Sequence, residues 1–185
     1  MQRPRIFGIV NVTRDSFSDG GRFLACDAAL EHAEQLRAGG ADVLDLGAES
    51  THPDSEDVSD AEELRRLEPV VSALVNQGAE VSIDTTKASV MTAMVAAGAR
   101  WLNDVNGFRN DASMQAAADA PEQVRFVVMF SRASGGRAER KSAGAVGLLE
   151  ELRAFFDERL EAFARAGIRA ERVVFDPGMG FFLGR

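Results

Sequence analysis

The chain has 185 residues, 45% of them hydrophobic and 27% charged, the balance of a soluble globular protein with apolar material for one sizeable core. A formal net charge of −8 argues against a nucleic-acid binder, which carries a basic face, but leaves small anions open because loop amides and a few arginines can hold phosphate. The lone Cys26 cannot form an internal disulfide, and no run approaches the roughly eighteen apolar residues of a membrane span. The apolar start of the chain is too short for a signal peptide and is interrupted by Asn11, so the expected location is cytoplasmic.

One rhythm repeats from the start. The run IFGIV (6–10) predicts a strand and is followed by the polar loop NVTRDSFSDGG (11–21). Residues 27–38 place Leu30, Ala33 and Leu36 at helical spacing after Asp27, a candidate N-cap. A second strand, DVLDL (42–46), leads into a second polar loop, GAESTHPDSEDVS (47–59). Ser59 and Glu62 make a capping box before Leu64, Leu67, Val71, Leu74 and Val75, with Pro69 predicting a kink or break. EVSID (80–84) is the third strand, 87–97 a helix, RWLND (100–104) the fourth strand and VRFVVMF (124–130) the fifth. The basic stretch 131–146 reads as a mobile loop, 147–166 as a helix and RVVFD (172–176) as the sixth strand. Gly40, Gly78, Gly98 and Gly167 close four of the helices, where a left-handed C-cap suits glycine.

Six β-branched runs alternating with helices predict an α/β protein with parallel strands, in one domain with no linker. GxGxxG and GxxxxGK[ST] are both absent, so the dinucleotide and P-loop readings lack their fingerprints. Polar residues gather at the strand ends instead: Asn11, Asp45, Asp84, Asn103, Asp104 and Asp176. In a parallel sheet or barrel these ends share one face, so the side chains should converge. Any one of them alone reads equally well as a helix cap. Together they favour a site, because several lie inside apolar runs where an unpartnered carboxylate is costly to bury.

The segments GIVNVTRDSFSDGG, GAESTHP, VSIDTTKASV, LNDVNGF and DPGMGF, in this order over residues 6–181, resemble the dihydropteroate synthase family. The resemblance implies a (β/α)₈ TIM barrel, with about six β/α units in this chain and the two C-terminal ones lacking. It also implies an enzyme, a transferase of folate biosynthesis that condenses 6-hydroxymethyl-7,8-dihydropterin pyrophosphate with p-aminobenzoate. By the same resemblance Asp84, Asn103 and Asp176 bind the pterin ring, with Asp84 and Asp176 also stabilising the charge that develops as pyrophosphate departs. Asn11 matches the Mg²⁺ ligand. Thr51 and Pro53 frame p-aminobenzoate with Phe17 and Phe181. Asp45, His52 and Met129 complete the expected substrate-binding set. Sulfonamides are implied as inhibitors and a homodimer as the complete assembly, with no nucleic-acid or membrane partner.

Three positions depart from the family pattern. His52 stands where Arg is usual, Phe130 where a histidine is usual, and Gly107-Phe108 where Gly-Gly is common. Phe108 is expected near the p-aminobenzoate site, where it would narrow the room for a sulfonamide. The wording of LNDVNGF and DPGMGFFLG resembles the sulfonamide-insensitive members more than the housekeeping ones. The Ser-Arg-Lys and Arg-x-His motifs of the family's last two strands have no counterpart, so the isolated chain is expected to be inactive and to self-associate through open edges. His32 reads as a surface residue, Cys26 as a loop residue rather than a nucleophile, and Trp101 as packed between barrel and helices. Alternative readings are a methyltetrahydrofolate-binding methyltransferase domain, or a truncated non-catalytic pterin-binding subunit. Loop 1 as DSFSDGG and the STxP loop favour the synthase.

Overall fold

β-Branched and aromatic side chains pack well on a pleated surface, and the six apolar runs of the sequence are the six strands of the fold. The computed structural model describes residues 3–12, 22–49, 57–131 and 147–179, with the backbone alone over 22–25. The order is β1 (Phe7–Asn11), α1 (Arg22–Ala38), β2 (Val43–Gly47), α2 (Asp60–Asn76), β3 (Val81–Asp84), α3 (Ala88–Ala96), β4 (Trp101–Asp104), α4 (Asp111–Asp119), β5 (Arg125–Met129), α5 (Leu148–Arg165) and β6 (Val173–Asp176), the last preceded by a 3₁₀ turn at Ala170–Arg172.

All pairings are parallel and the strand order is β1-β2-β3-β4-β5-β6, each strand beside its sequence neighbour. An order that never reverses has no switch point, so successive crossovers place their helices on one face of the sheet. The other face curls inward, and β1 and β6 both line one cavity inside it. This is the strand arrangement of a TIM barrel, with six of its eight strands among the described residues. Ile9 and Val174, on the two outer strands, are 62% and 46% exposed, so these edges keep apolar surface in water.

The local signals explain most boundaries. Ser59 Oγ accepts the Glu62 amide at 3.3 Å and starts α2. The helix then passes Pro69 unbroken to Asn76. Burial of Leu67, Val70, Val71 and Leu74 against the sheet outweighs the one hydrogen bond a proline removes. Gly40, Gly78, Gly98 and Gly167 have φ of 101°, 74°, 109° and 78°, as the C-cap reading expected. Helix α1 begins at Arg22, so Asp27 lies within it rather than at its cap. The sequence reading omitted α4, whose signal was Asn110: its Oδ1 accepts the Ser113 amide at 3.0 Å.

The core fills the layer between the sheet's outer face and the helices, where Leu44, Leu46, Ile83, Leu102 and Val128 meet Leu74, Val90 and Met91. Phe108, Phe126 and Phe163 form a triangle with centroid distances of 5.4–5.7 Å. Two buried arginines satisfy loop carbonyls beside it: Arg159 donates to Phe108 O at 3.0 Å, and Arg172 to Val124 O at 2.8 Å and Pro121 O at 2.9 Å. Such bonds let a guanidinium sit inside a core without leaving backbone oxygens bare. Among the described residues no helix is long and apolar enough to cross a membrane.

Candidate active site inside the curled sheet

Side chains alternate between the two faces of a strand, and parallel register decides which of them become neighbours. Ile9 pairs with Asp45 and Asp45 with Ser82; Asn11 pairs with Gly47, Gly47 with Asp84, and Asp84 with Asn103. Met129 pairs with Asp176. All of these residues except Gly47 and Ser82 line a cavity of about 600 Å³ enclosed by the sheet. Every described member of the expected site set is there: Asn11, Asp45, Asp84, Asn103, Met129 and Asp176. Phe17, Thr51, His52, Pro53 and Phe181 lie outside the described residues, as do 132–146 of the stretch read as a mobile loop.

The electrostatics of this cavity are unusual. Asp45 is 8% exposed, and its Oδ2 accepts the Asn103 Nδ2 at 3.0 Å. Burial pushes its carboxyl up; Ser82 and Asn103 pull the other way, and Asp176 adds like charge. Ser82 thus sits close enough to favour the anion, although neither its hydroxyl nor Asp45 Oδ1 reaches hydrogen-bonding geometry. Burial raises Asp84 well above the usual carboxylate range, with like charge from Asp45, Asp104 and Glu63 adding to it. Asp176 Oδ1 accepts the Gly178 amide at 2.8 Å, and its carbonyl accepts from Phe130 at 2.8 Å. The Asp-Pro-Gly sequence after β6 is therefore a side-chain-closed turn that aims the carboxylate, with Gly178 at φ 69°. Among the described residues, apart from Arg5 at the opposite end of the strands, the charged groups lining the cavity are acids.

Three expectations are corrected. Asp104 belongs to the outer face: it is 1% exposed and accepts the amides of Asn106 at 2.8 Å and Phe108 at 3.0 Å, closing the turn after β4. Alternation alone requires this, since Asn103 points inward. Phe108 is fully buried in the aromatic triangle, away from the cavity, and so does not narrow it. It holds φ 56° where the family's usual glycine has no Cβ penalty, and burial of the ring offsets that strain. Gly107 beside it has no such latitude, because a Cβ there would lie 2.6 Å from the Phe155 ring. Trp101 faces the barrel interior, not the helices. It packs with Phe7, Val43 and Val127, donates Nε1–H to Glu80 at 2.6 Å, and has Arg5 and Arg125 each 5.4 Å from its ring. Phe130, at the family's histidine position, packs outward on Phe155 at 5.3 Å.

An ionic cluster beside the site has no signature in any short segment of the sequence. Lys87, at the N-cap of α3, reaches Glu49 after β2 and the 1%-exposed Glu63 of α2, the latter at 2.6 Å. Glu49 Oε1 also lies 3.5 Å from the Val58 amide, and Arg66 donates to Ala48 O at 3.0 Å. Together these contacts tie both described ends of the second loop to the scaffold.

The comparisons agree with this geometry. The family described as pterin binding enzyme matches residues 7–185. Dihydropteroate synthase type-2 of Escherichia coli is 46% identical over 179 residues, covering 97% of this chain and 65% of that protein. Two solved structures superpose closely. The Burkholderia cenocepacia dihydropteroate synthase complexed with 7,8-dihydropteroate has a TM-score of 0.84 at 37% identity, over 97% of this chain and 60% of that one. The Xanthomonas albilineans enzyme with 4-aminobenzoic acid has a TM-score of 0.84 at 42% identity, over 99% and 64%. The chain thus spans a little under two thirds of the length of these relatives.

Proposed function

This chain belongs to the pterin binding enzyme family, and on that premise we propose that it forms the pterin-binding portion of a dihydropteroate synthase. One observation carries the reading. Acceptor-bearing side chains from different strands (Asp45, Asp84, Asn103 and Asp176) meet in one cavity whose apolar walls include Val105, Val127 and Met129. A flat ring with an edge of N–H donors satisfies such a set, because carboxylates only accept hydrogen bonds when ionised. A pterin has that edge.

In this reading the pterin lies between the apolar walls with its amide-and-amine edge on Asp84, Asn103 and Asp176. Its methylene then points toward the C-terminal rim of the strands. The C–O bond to the diphosphate breaks with its electron pair on oxygen, the amine nitrogen of p-aminobenzoate forms the new C–N bond, and the amine releases a proton. Asp84 and Asp176 oppose the positive charge that spreads into the ring while that bond is broken. Asn11, at the end of β1 and on the cavity wall, fits a Mg²⁺ that arrives with the diphosphate, since this hard cation takes few protein oxygens alongside phosphate. Bound there, Mg²⁺ would neutralise the leaving group. Sulfonamides would compete for the p-aminobenzoate position, and the two remaining β/α units of the barrel would seat between the β1 and β6 edges. The complete enzyme is expected to be a cytoplasmic homodimer.

Calorimetry with 6-hydroxymethylpterin tests the assignment. Asp84→Asn and Asp176→Ala should each weaken binding by about tenfold or more, which is about 1.4 kcal/mol. Affinities within about twofold of the parent for both variants would sink it.

A further inference from the structure

The N-terminal ends of the strands carry a charge pattern opposite to that of the cavity. Arg5 precedes β1, Glu80 precedes β3, Arg100 precedes β4 and Arg125 opens β5, and the four line one groove of about 480 Å³. On a chain of net charge −8, this groove gathers three guanidinium groups and a single carboxylate among its described lining residues. Both oxygens of that carboxylate are committed: Glu80 Oε2 accepts from Arg5 at 2.5 Å, and Oε1 from Trp101 Nε1 at 2.6 Å. Burial alone would raise this carboxyl, but those two bonds and the charge of Arg5 and Arg125 hold it below its ordinary value. Among the described residues, neither Arg100 nor Arg125 has an ion-pair partner of its own.

The cations are held in place by the sheet. Arg5 and Arg125 each stand 5.4 Å from the Trp101 ring, which is itself 2% exposed and so a fixed platform. The Arg100 amide donates to Val81 O at 2.9 Å and its carbonyl accepts from Arg125 N at 2.9 Å, which fixes both backbones in the ladder.

We propose that this groove is a binding site for a multiply charged oxyanion of the diphosphate class, separate from the cavity at the other ends of the strands. Guanidinium groups only donate, so the ligand must bring acceptors. Three positive charges and one negative leave a surplus of two, which a dianion or a higher anion neutralises. The forked guanidinium matches phosphoryl oxygens in geometry, and a concave surface lined mainly by one sign of charge concentrates the opposite ion. The Trp101 layer divides this groove from the cavity: the indole packs on Phe7 and Val127, which line the cavity, and among the described residues Arg5 alone borders both. The site stands independently of the pterin reading, since no acid of the cavity takes part. A free diphosphate and the phosphate tail of a nucleotide share this chemistry.

Trp101 is the only tryptophan of the chain, so its fluorescence reports on this end of the strands. Inorganic pyrophosphate titrated in EDTA, which withholds the divalent cation a diphosphate would use at the C-terminal rim, should give a saturable change with Kd below about 1 mM. Arg100→Gln and Arg125→Gln lie at exposed positions and should leave the fold intact. Each should weaken binding by about tenfold or more in calorimetry. Glu80→Gln should tighten it by about threefold, because the repulsion goes while the amide oxygen still accepts from Trp101. ADP binding more tightly than pyrophosphate assigns the anion to a nucleotide and the reverse order assigns it to free diphosphate; either order supports the site. No saturation below about 10 mM, unchanged affinity in both arginine variants, or an equal response to chloride at matched ionic strength overturns the proposal.

Discussion

Replacing Lys87 with methionine should cost the fold about 3–5 kcal/mol, although methionine keeps much of the side chain's length and apolar stem. The reason lies in its partners. Glu63 is 1% exposed, its Oε2 is 2.6 Å from Lys87 Nζ, and its Oε1 has no partner. Removing the ammonium leaves a buried carboxylate with nothing to offset its lost hydration. The second partner, Glu49, is 28% exposed on its side chain and recovers water, so it adds little. Against a typical domain stability of about 5–15 kcal/mol, the loss is large. Burial by itself would lower the Lys87 ammonium, but hydrogen bonds and charge from Glu49 and Glu63 outweigh it and hold the group above its ordinary value. A raised lysine binds its proton more tightly when folded, so the stabilisation is complete at neutral pH and is lost only as pH rises past the lysine range. Urea unfolding at pH 7 measures the effect as a lower midpoint at unchanged slope. The double variant Lys87→Met/Glu63→Leu removes both charges and should lie within about 1.5 kcal/mol of the parent. A single-variant loss under about 1 kcal/mol, or a double variant no better than Lys87→Met, would refute the argument.

Two more outcomes follow from the corrected residues. The carboxyl of Asp104 is raised to about 6, chiefly by burial and against the two amides it accepts. The folded state therefore holds this proton more tightly than the unfolded chain, whose aspartates titrate near 3.9. Stability from this group falls as pH rises between about 4 and 6, by at most about 3 kcal/mol, and Asp104→Asn should flatten that segment of the curve in urea unfolding; an unchanged pH profile would count against it. Phe108→Ala should lose about 3–5 kcal/mol in the same assay, since the ring is fully buried against two others. The folded fraction should bind 6-hydroxymethylpterin as the parent does, and a selective loss of affinity would return Phe108 to the cavity.

The sequence alone determined what is local. Strand runs, the Ser59 cap and the four C-cap glycines are set by neighbours a few residues away, and the structure keeps them. The boundaries differ where local signals are weak or overridden: α1 starts ahead of its candidate cap at Asp27, α4 carries only a short signal, and α2 continues past Pro69 because tertiary burial outweighs one hydrogen bond. The described site residues were legible because parallel strands place their C-terminal ends together whatever the details of packing. Tertiary structure decided the direction and pairing of side chains. Asp104 and Asn103 are adjacent in sequence and point to opposite faces, and Trp101 turned inward by the same alternation. The register that sets Asp45 beside Ser82 and Asn103, and the contacts joining Lys87 to residues 24 and 38 positions away, leave no trace in any short segment. Hydrogen-bond and charge partners are chosen by distance in space, and chain order constrains that distance only once the sheet has curled.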